Sequence, residues 1–323
     1  KEKLKILADA IKIRTENDNE AKLAKYFQEL LKKYGIESKL VHYNPQRASL
    51  VCDLDGSKGS GKMLVVSGHL DVVTAGDESE WTYPPFGGEI HDGKMYGRGT
   101  TDMKAGLCAL IIAMIELKEE GANFKGKIRL AATVGEEVGM YGSKQLVEEG
   151  YIDGADGFLI AEPSSSNRII NAHKGSLQYE IIATGKPAHS SMPEIGIDSI
   201  QLMVDYINET NKRFAKAFNE AENKQLGKTL NVNTVIDGGT QINSVAGKTI
   251  LKANARCVPE VNNDKVVEII EEVISDLNSK NQGKLELNIL QNNPNAVSEK
   301  DNDLVKAILN SLDKKIPVEA LAG

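Results

Sequence analysis

The side chains that could do chemistry in this 323-residue chain are one histidine and a set of acids, each at the end of an apolar run. His69 closes "KMLVVSGH", and Asp71 follows two positions on. In extended backbone both side chains face the same way. A carboxylate behind an imidazole fixes its tautomer and raises its basicity, the usual support for a zinc-binding histidine. On its own a His-x-Asp pair is more often an ordinary histidine with an acid beside it. Asp102, in "YGRGTTDMKAG", precedes a helical pattern, where Asp makes a good N-cap. The nearby Gly97, Gly99 and Gly106 ask for a tighter backbone path than a cap requires. Glu136 and Glu137, in "ATVGEEVGMYG", directly follow a buried run, and Glu162 ends "LIAEPS". Each acid read singly is a cap or a solvated loop residue. Adjacent carboxylates repel, however, and acidic or histidine sites at four strand ends together lead us to expect a hard-ligand metal centre.

A second stretch advertises different chemistry. Gly56 to Lys62, "GSKGSGK", has the G-x-x-x-x-G-K spacing of a phosphate-binding loop. That loop needs Ser or Thr after the lysine and a helix beyond it. Met63 and the β-branched run "MLVVSG" stand there instead, so no helix N-terminus is available to receive a phosphate. We therefore read a Gly/Ser hairpin turn between two strands. A nucleotide-binding protein is the rival, which an ATP titration would detect.

The elements that must position these residues alternate. Residues 3–34 carry helical periodicity broken near Arg14 to Asn19, with Asp18 as the expected N-cap of a second helix and Gly35 as its end. "SKLVHY", "ASLVCDL" and "KMLVVSG" read as strands, and "GEIHDGKMYGRG" as a hairpin turning at Asp92-Gly93. A helix over 103–121, a strand in "GKIRLAATV", a helix from Tyr141 to Glu149 and a strand in "DGFLIAEP" follow. This alternation implies a mixed or parallel sheet covered on both faces. After about Lys174 the pattern changes to "SLQYEIIATG", a helix over 196–222, "TLNVNTVIDGG", "TILKANARCVP", a helix over 263–279 and "KLELNIL". That is β-α-β-β-α-β, the order of a ferredoxin-like unit. A helix from Asn302 to Leu312 reads as a return to the first domain.

Composition bounds the function. With 39 basic against 46 acidic residues the formal charge is −7, which disfavours nonspecific nucleic-acid binding. No apolar run approaches the roughly 18 residues of a membrane span, and no secretory signal is visible. Cys52, Cys108 and Cys257 are odd in number and far apart, which suits buried thiols in a reducing cytoplasm.

"SGHLDVV", "YGRGTTDMKAG", "GEEVGMYGS", "AEPS", "KPAHSSMPEIGIDSI" and "ARCVP" occur in an order that resembles the zinc-dependent deacylases and exopeptidases that include succinyl-diaminopimelate desuccinylase, acetylornithine deacetylase and glutamate carboxypeptidase. The resemblance runs from about residue 5 to the end of the chain. It implies an α/β, mixed-sheet zinc-exopeptidase-like catalytic domain with an inserted ferredoxin-like α+β dimerisation (lid) domain. The expected division is 1–174 catalytic, 175–291 inserted and 292–323 catalytic. It implies two zinc ions per subunit, with cobalt as a substitute. His69, backed by Asp71, and Glu162 would hold the first metal, Asp102 would bridge, and Glu137 would serve the second. Glu136 would be the general base that takes a proton from water and delivers it to the leaving amine. His189 would stabilise the oxyanion from the partner subunit of a homodimer, and Arg256, Asn243 and Lys174 would contact substrate.

Two departures shape the expectations. The family uses a further histidine near its C-terminus, whereas His189 is the last here and the chain ends at "VEALAG". We therefore expect the second metal site to be incomplete in this chain, with at most one well-held metal, and the catalytic domain to continue beyond the sequence. Desuccinylases carry Arg-Gly where Lys174-Gly175 stands, and lysine meets a carboxylate as a point charge rather than a fork. The resemblance thus implies a cytoplasmic metal-dependent amide hydrolase acting on a small N-acyl amino acid. N-succinyl-LL-diaminopimelate is favoured, with acetylornithine or a dipeptide as alternatives. A non-catalytic homologue is the rival from another class; the repelling Glu136-Glu137 pair argues against it.

Overall fold

The broken periodicity at the N-terminus becomes two helices, α1 (Glu2–Lys12) and α2 (Glu20–Lys33). Their buried positions, Ile6, Ala10 and Ile11 on one and Leu23, Ala24, Phe27 and Leu31 on the other, recur at three- and four-residue spacing. The cap of α2 is Asn19 rather than the expected Asp18. Asn19 adopts a left-handed conformation, φ 64°, which delays the helix by one residue, and the Asp18 carboxylate accepts the Asn19 N–H, at 2.8 Å. The computed structural model describes residues 2–165 and 167–321, in two units, Lys1–Ser166 and Asn167–Gly323.

In the first unit, β1 (Ser38–His42), β2 (Ala48–Asp55) and β3 (Met63–His69) precede the short hairpin of β4 (Glu89–His91) and β5 (Lys94–Tyr96). That hairpin turns at Asp92 and Gly93, both at positive φ, as read from the sequence. Then come α3 (Lys104–Glu119), β6 (Lys127–Thr133), α4 (Tyr141–Glu148) and β7 (Gly157–Ile160). The five-stranded sheet has the order β1-β2-β6-β3-β7. β3 runs parallel to both β6 and β7, while β1 and β2 are antiparallel to their neighbours. Alternate residues feed opposite faces. Leu50, Cys52, Leu54, Val66, Leu130 and Ala132 join a core with α1, α2 and α3, whereas Val41, Val51, Val65 and Ala131 pack with Leu146 of α4.

One expectation fails here. The Gly56 to Lys62 segment is not a hairpin turn, because β6 lies between β2 and β3. The segment crosses the end of β6 instead, with Gly56 N–H donating to Gly126 O and Lys127 N–H to Lys62 O. A strand follows it, so the phosphate-loop reading lacks its helix in the structure as well.

The second unit contains β8 (Ile169–His173), β9 (Gly175–Thr184), β10 (Ala188–His189), α5 (Ser199–Glu220), β11 (Leu230–Gly238), β12 (Ser244–Val245) and β13 (Lys248–Cys257). It continues through α6 (Asn263–Lys280), β14 (Lys284–Asn293), β15 (Ala296–Val297), α7 (Asp303–Asn310) and β16 (Val318–Leu321). The main sheet, β11-β13-β9-β14, is antiparallel throughout. β9-α5-β11-β13-α6-β14 is the β-α-β-β-α-β run read from the sequence. Leu177, Tyr179, Ile181 and Ala183 of β9 and Leu251, Ala253, Ala255 and Cys257 of β13 bury one face beneath α5 and α6. β8 is flanked by β15 and β16, partners from the far end of the chain. The three cysteines are free and buried, and no described helix is long and apolar enough to cross a membrane.

Candidate metal centre

β6, β3 and β7 are neighbours and parallel, so their C-terminal ends lie on one edge of the sheet. That edge is where open α/β sheets gather ligands. His69 is the last residue of the middle strand, in register with Thr133 at the end of β6. Glu136 and Glu137 follow β6, and Glu162 follows β7. Asp102 arrives from the segment ahead of α3, where Met103 rather than Asp102 occupies the cap position. The N-cap reading of Asp102 therefore fails: its half-exposed carboxylate is turned to His69. Gly106 makes this approach feasible, since a Cβ there would lie 2.1 Å from Ala161 O, one residue before Glu162.

His69 is buried, and its Nε2 faces Asp102 Oδ1 at 3.0 Å, Glu162 Oε1 at 3.6 Å and Glu136 Oε2 at 4.0 Å. Two groups of possible ligand atoms result, His69 with Asp102 and Glu162, and His69 with Glu136 and Glu137, each with its atoms within 4.8 Å of one another. Both use the same histidine, and no second one joins either group among the described residues.

The other ring nitrogen, Nδ1, lies 2.9 Å from the backbone carbonyl of Asp71 and 3.5 Å from its carboxylate. A proton on Nδ1, donated to that carbonyl, leaves the Nε2 lone pair for a cation. The Asp71 carboxylate does something the spacing did not reveal. Fully buried, it accepts the backbone N–H groups of both Glu136 and Glu137 at 3.1 Å, so it holds their turn against β3. Lys104 also escaped the sequence reading. Its buried ammonium donates to Ala10 O at 3.0 Å and Ile13 O at 2.7 Å, tying the end of α1 to the segment that carries Asp102, and burial pulls its pKa down to about 8.

The electrostatics call for a cation. Burial, reinforced by Asp102, Glu136 and Glu137 and only partly offset by His69, pushes the Glu162 carboxyl up to about 7. Burial raises Glu136 and Glu137 as well. Burial also works against a charged His69, but the Asp71 hydrogen bond and the charges of Glu162, Asp71 and Glu136 outweigh it and lift the imidazole to about 10. One imidazole among crowded carboxylates is a donor set that fits zinc or another divalent ion. Proton uptake at these groups is the costly substitute for such an ion.

The remaining expected residues lie in the second unit. β10 pairs with β12 so that His189 faces Ser244, and Ser190 N–H donates to Asn243 O at 3.0 Å. His189 and Asn243 are thus brought together, both exposed. Arg256 is half-buried on β13, opposite Leu230 and Ser176. Lys174 is buried, and its ammonium donates to Lys228 O at 2.7 Å.

Comparison with known proteins gives a consistent answer. Residues 65–321 match the model of peptidase family M20/M25/M40. A probable succinyl-diaminopimelate desuccinylase of Staphylococcus epidermidis is 40% identical, the match covering 100% of this chain and 84% of that protein. An acetylornithine deacetylase of Buchnera aphidicola is 31% identical, over 80% of this chain and 65% of that protein. Among solved structures, aminopeptidase PepT of Bacillus cereus superposes with a TM-score of 0.77 at 23% identity, covering 99% of this chain and 83% of that one. An M20-family metallo-carboxypeptidase of Sulfolobus solfataricus gives 0.77 at 19%, covering 100% and 86%. These structural likenesses establish the mixed α/β fold. The chain belongs to the peptidase M20/M25/M40 family and is a metal-dependent amide hydrolase.

Proposed function

We propose that the protein removes the succinyl group from N-succinyl-LL-diaminopimelate, releasing succinate and LL-diaminopimelate. The observation that carries the hydrolytic chemistry is the convergence of Asp102, Glu136, Glu137 and Glu162 on the single buried His69. The choice of substrate is supported by 40% identity along the whole chain to a probable succinyl-diaminopimelate desuccinylase.

In this reading zinc is the resident metal, with cobalt able to replace it. His69, Asp102 and Glu162 hold one ion, and Asp102 and Glu137 contribute to a second. Bound metal supplies a lowered pKa for water and polarisation of the scissile carbonyl. Glu136 takes the proton of the attacking water and returns it to the leaving amine; burial raises its carboxyl, which makes it a stronger base than a free glutamate. Asp71 fixes the His69 tautomer and anchors the Glu136-Glu137 turn.

His189 supplies the oxyanion contact to the active site of the partner subunit, and Asn243 and Arg256 bind substrate. Lys174 meets a substrate carboxylate with an N–H of its ammonium other than the one it gives to Lys228 O. The domain division 1–174, 175–291 and 292–323 is part of this proposal: β8, which precedes the insert, pairs with β15 and β16, which follow it, in a sheet apart from β11-β13-β9-β14, though all three strands lie in the unit Asn167–Gly323. The inserted unit forms the homodimer. Its edge strand β11 exposes Val232, Val235 and Ile236, which is the kind of edge that a second chain covers. The free, buried cysteines suit the cytoplasm.

The test is amide hydrolysis by the zinc-loaded, full-length protein of N-succinyl-LL-diaminopimelate beside N-acetylornithine. A clear preference for the succinyl compound is expected. Preference for N-acetylornithine would transfer the assignment to the activity named for the Buchnera relative. Inactivity on both, with turnover of dipeptides, would make the protein a peptidase.

A further inference from the structure

Three consecutive backbone N–H groups, those of Gly135, Glu136 and Glu137, are all taken by buried carboxylates from elsewhere in the chain. Asp71 takes the second and third. The first donates to Glu20 Oε1 at 3.2 Å. Glu20 is the first residue of α2, is completely buried, and is 115 positions away in sequence. It is held in turn by Arg47, 8% exposed, whose Nε donates to both carboxylate oxygens at 3.1 and 3.0 Å and whose Nη2 donates to Oε1 at 2.5 Å.

The fit around Gly135 is close. Its φ is +65°, and a Cβ would lie 2.9 Å from Arg47 Nη2 and 2.8 Å from Tyr141 Cδ2. The Arg47 guanidinium sits over the Tyr141 ring, 5.6 Å from its centroid, and Tyr43 stacks on Tyr141 at 5.2 Å. The first residue of the turn is therefore wedged between a guanidinium and an aromatic ring while a carboxylate fixes its N–H. Two pairs of like design, Asp71 with His69 and Glu20 with Arg47, grip successive peptides. A carboxylate locked by several donors has no freedom to follow a drifting partner, so the N–H must come to it.

We propose that Glu20 is a positioning residue for amide hydrolysis, its carboxylate setting, through the Gly135 N–H, where Glu136 and Glu137 stand. The inference rests on the roles given to those two acids above. Displacing a reacting group by about 1 Å costs on the order of 100-fold in rate.

The experiment is a double-mutant cycle of Glu20→Gln with Glu136→Gln in the full-length, zinc-loaded protein, using the substrate that the wild type turns over fastest. Glu20→Gln keeps the shape and one acceptor oxygen but loses the charge that locks Arg47. The expected result is kcat lower by about 100-fold with KM changed by less than about twofold, and a much smaller further loss, about 10-fold or less and through Glu137 alone, when Glu20→Gln is added to Glu136→Gln. Full kcat in Glu20→Gln would overturn the inference. So would a double variant slower than Glu136→Gln by the same factor, since a merely structural role lowers both backgrounds alike. If Glu20→Gln fails to fold, Arg47→Lys, which keeps the charge but not the fork, enters the cycle under the same criteria. A second readout needs no turnover: Co2+ alone is titrated into the apoprotein, and its visible absorption is expected to report about 10-fold weaker binding in Glu20→Gln as Glu137 shifts. A wild type that prefers N-acetylornithine or a dipeptide removes the substrate reading and leaves the cycle readable. A wild type that hydrolyses nothing removes the hydrolytic reading, and the Co2+ titration then decides, unchanged affinity overturning the positioning role.

Discussion

In the first unit β6, β3 and β7 run parallel and end together, so His69, Glu136, Glu137 and Glu162 need only a residue or a short loop beyond their strands to meet. In the second unit every neighbour in β11-β13-β9-β14 is antiparallel, so adjacent strands finish at opposite edges. Its candidate residues fall into two groups: Arg256 near the end of β13 and Lys174 just ahead of β9 share one edge, Arg256 being in register with Ser176, while His189 and Asn243 lie side by side through the small β10–β12 ladder. Helices cover both faces of the first sheet, while one face of the second packs on α5 and α6. Parallel strand ends concentrate charge in one place and then need something to stabilise that crowding. An antiparallel sheet sets the end of one strand beside the start of the next, so candidate residues meet there in pairs and not in one crowded cluster.

The comparison breaks most decisively at His69, the shared member of both ligand groups. His69→Ala should lose bound zinc, measured by elemental analysis, and lower kcat by more than the about 10⁴-fold ceiling expected for proton transfer alone. Retained metal would mean that the crowded carboxylates suffice without the imidazole. Glu136→Gln should lower kcat by about 10²–10⁴-fold with zinc content unchanged, which separates proton transfer from metal holding within the same edge. In the second unit, Arg256→Lys should raise KM about 10-fold with a smaller change in kcat, because a point charge replaces a fork; an unaltered KM would remove Arg256 from substrate recognition. The smallest effect concerns stability. Burial pushes Asp53 up, but hydrogen bonds from Arg129 and Lys127 outweigh it and leave its pKa lowered. A depressed carboxylate stabilises the fold above its unfolded value of about 3.9, and that contribution disappears as pH falls through the folded value. Acid unfolding followed by circular dichroism should begin at the same pH or higher in Asp53→Asn, with up to about 1 kcal/mol less stability at neutral pH than the wild type.

The clustering of candidate ligands around His69 was largely legible because those residues announce themselves locally. Glu162 and Glu137 are charges directly after apolar strands, and such placement is visible without knowing what the strands pair with. What escaped depended on pairing. The grip of Asp71 on the Glu136 and Glu137 peptides requires β3 to lie beside β6, and no spacing along the chain states that. The same adjacency defeated the hairpin expected at Gly56 to Lys62, since β6 enters between the strands on either side. β8 went unread because its partners, β15 and β16, come from the far end of the chain. The displaced cap of α2 has a smaller cause: Asp18 and Asn19 are both good capping residues, and the left-handed turn at Asn19 chose between them.

Gly106 has a consequence for anyone who diversifies this chain. Where Ala161 O approaches α3, a single methyl group has no room. In a library of substitutions along α3, exposed positions such as Ala109 and Lys118 should tolerate wide variation, while position 106 should reject every side chain. Such a gap in the tolerated set would mark, from the helix side, where α3 passes the segment that carries Glu162.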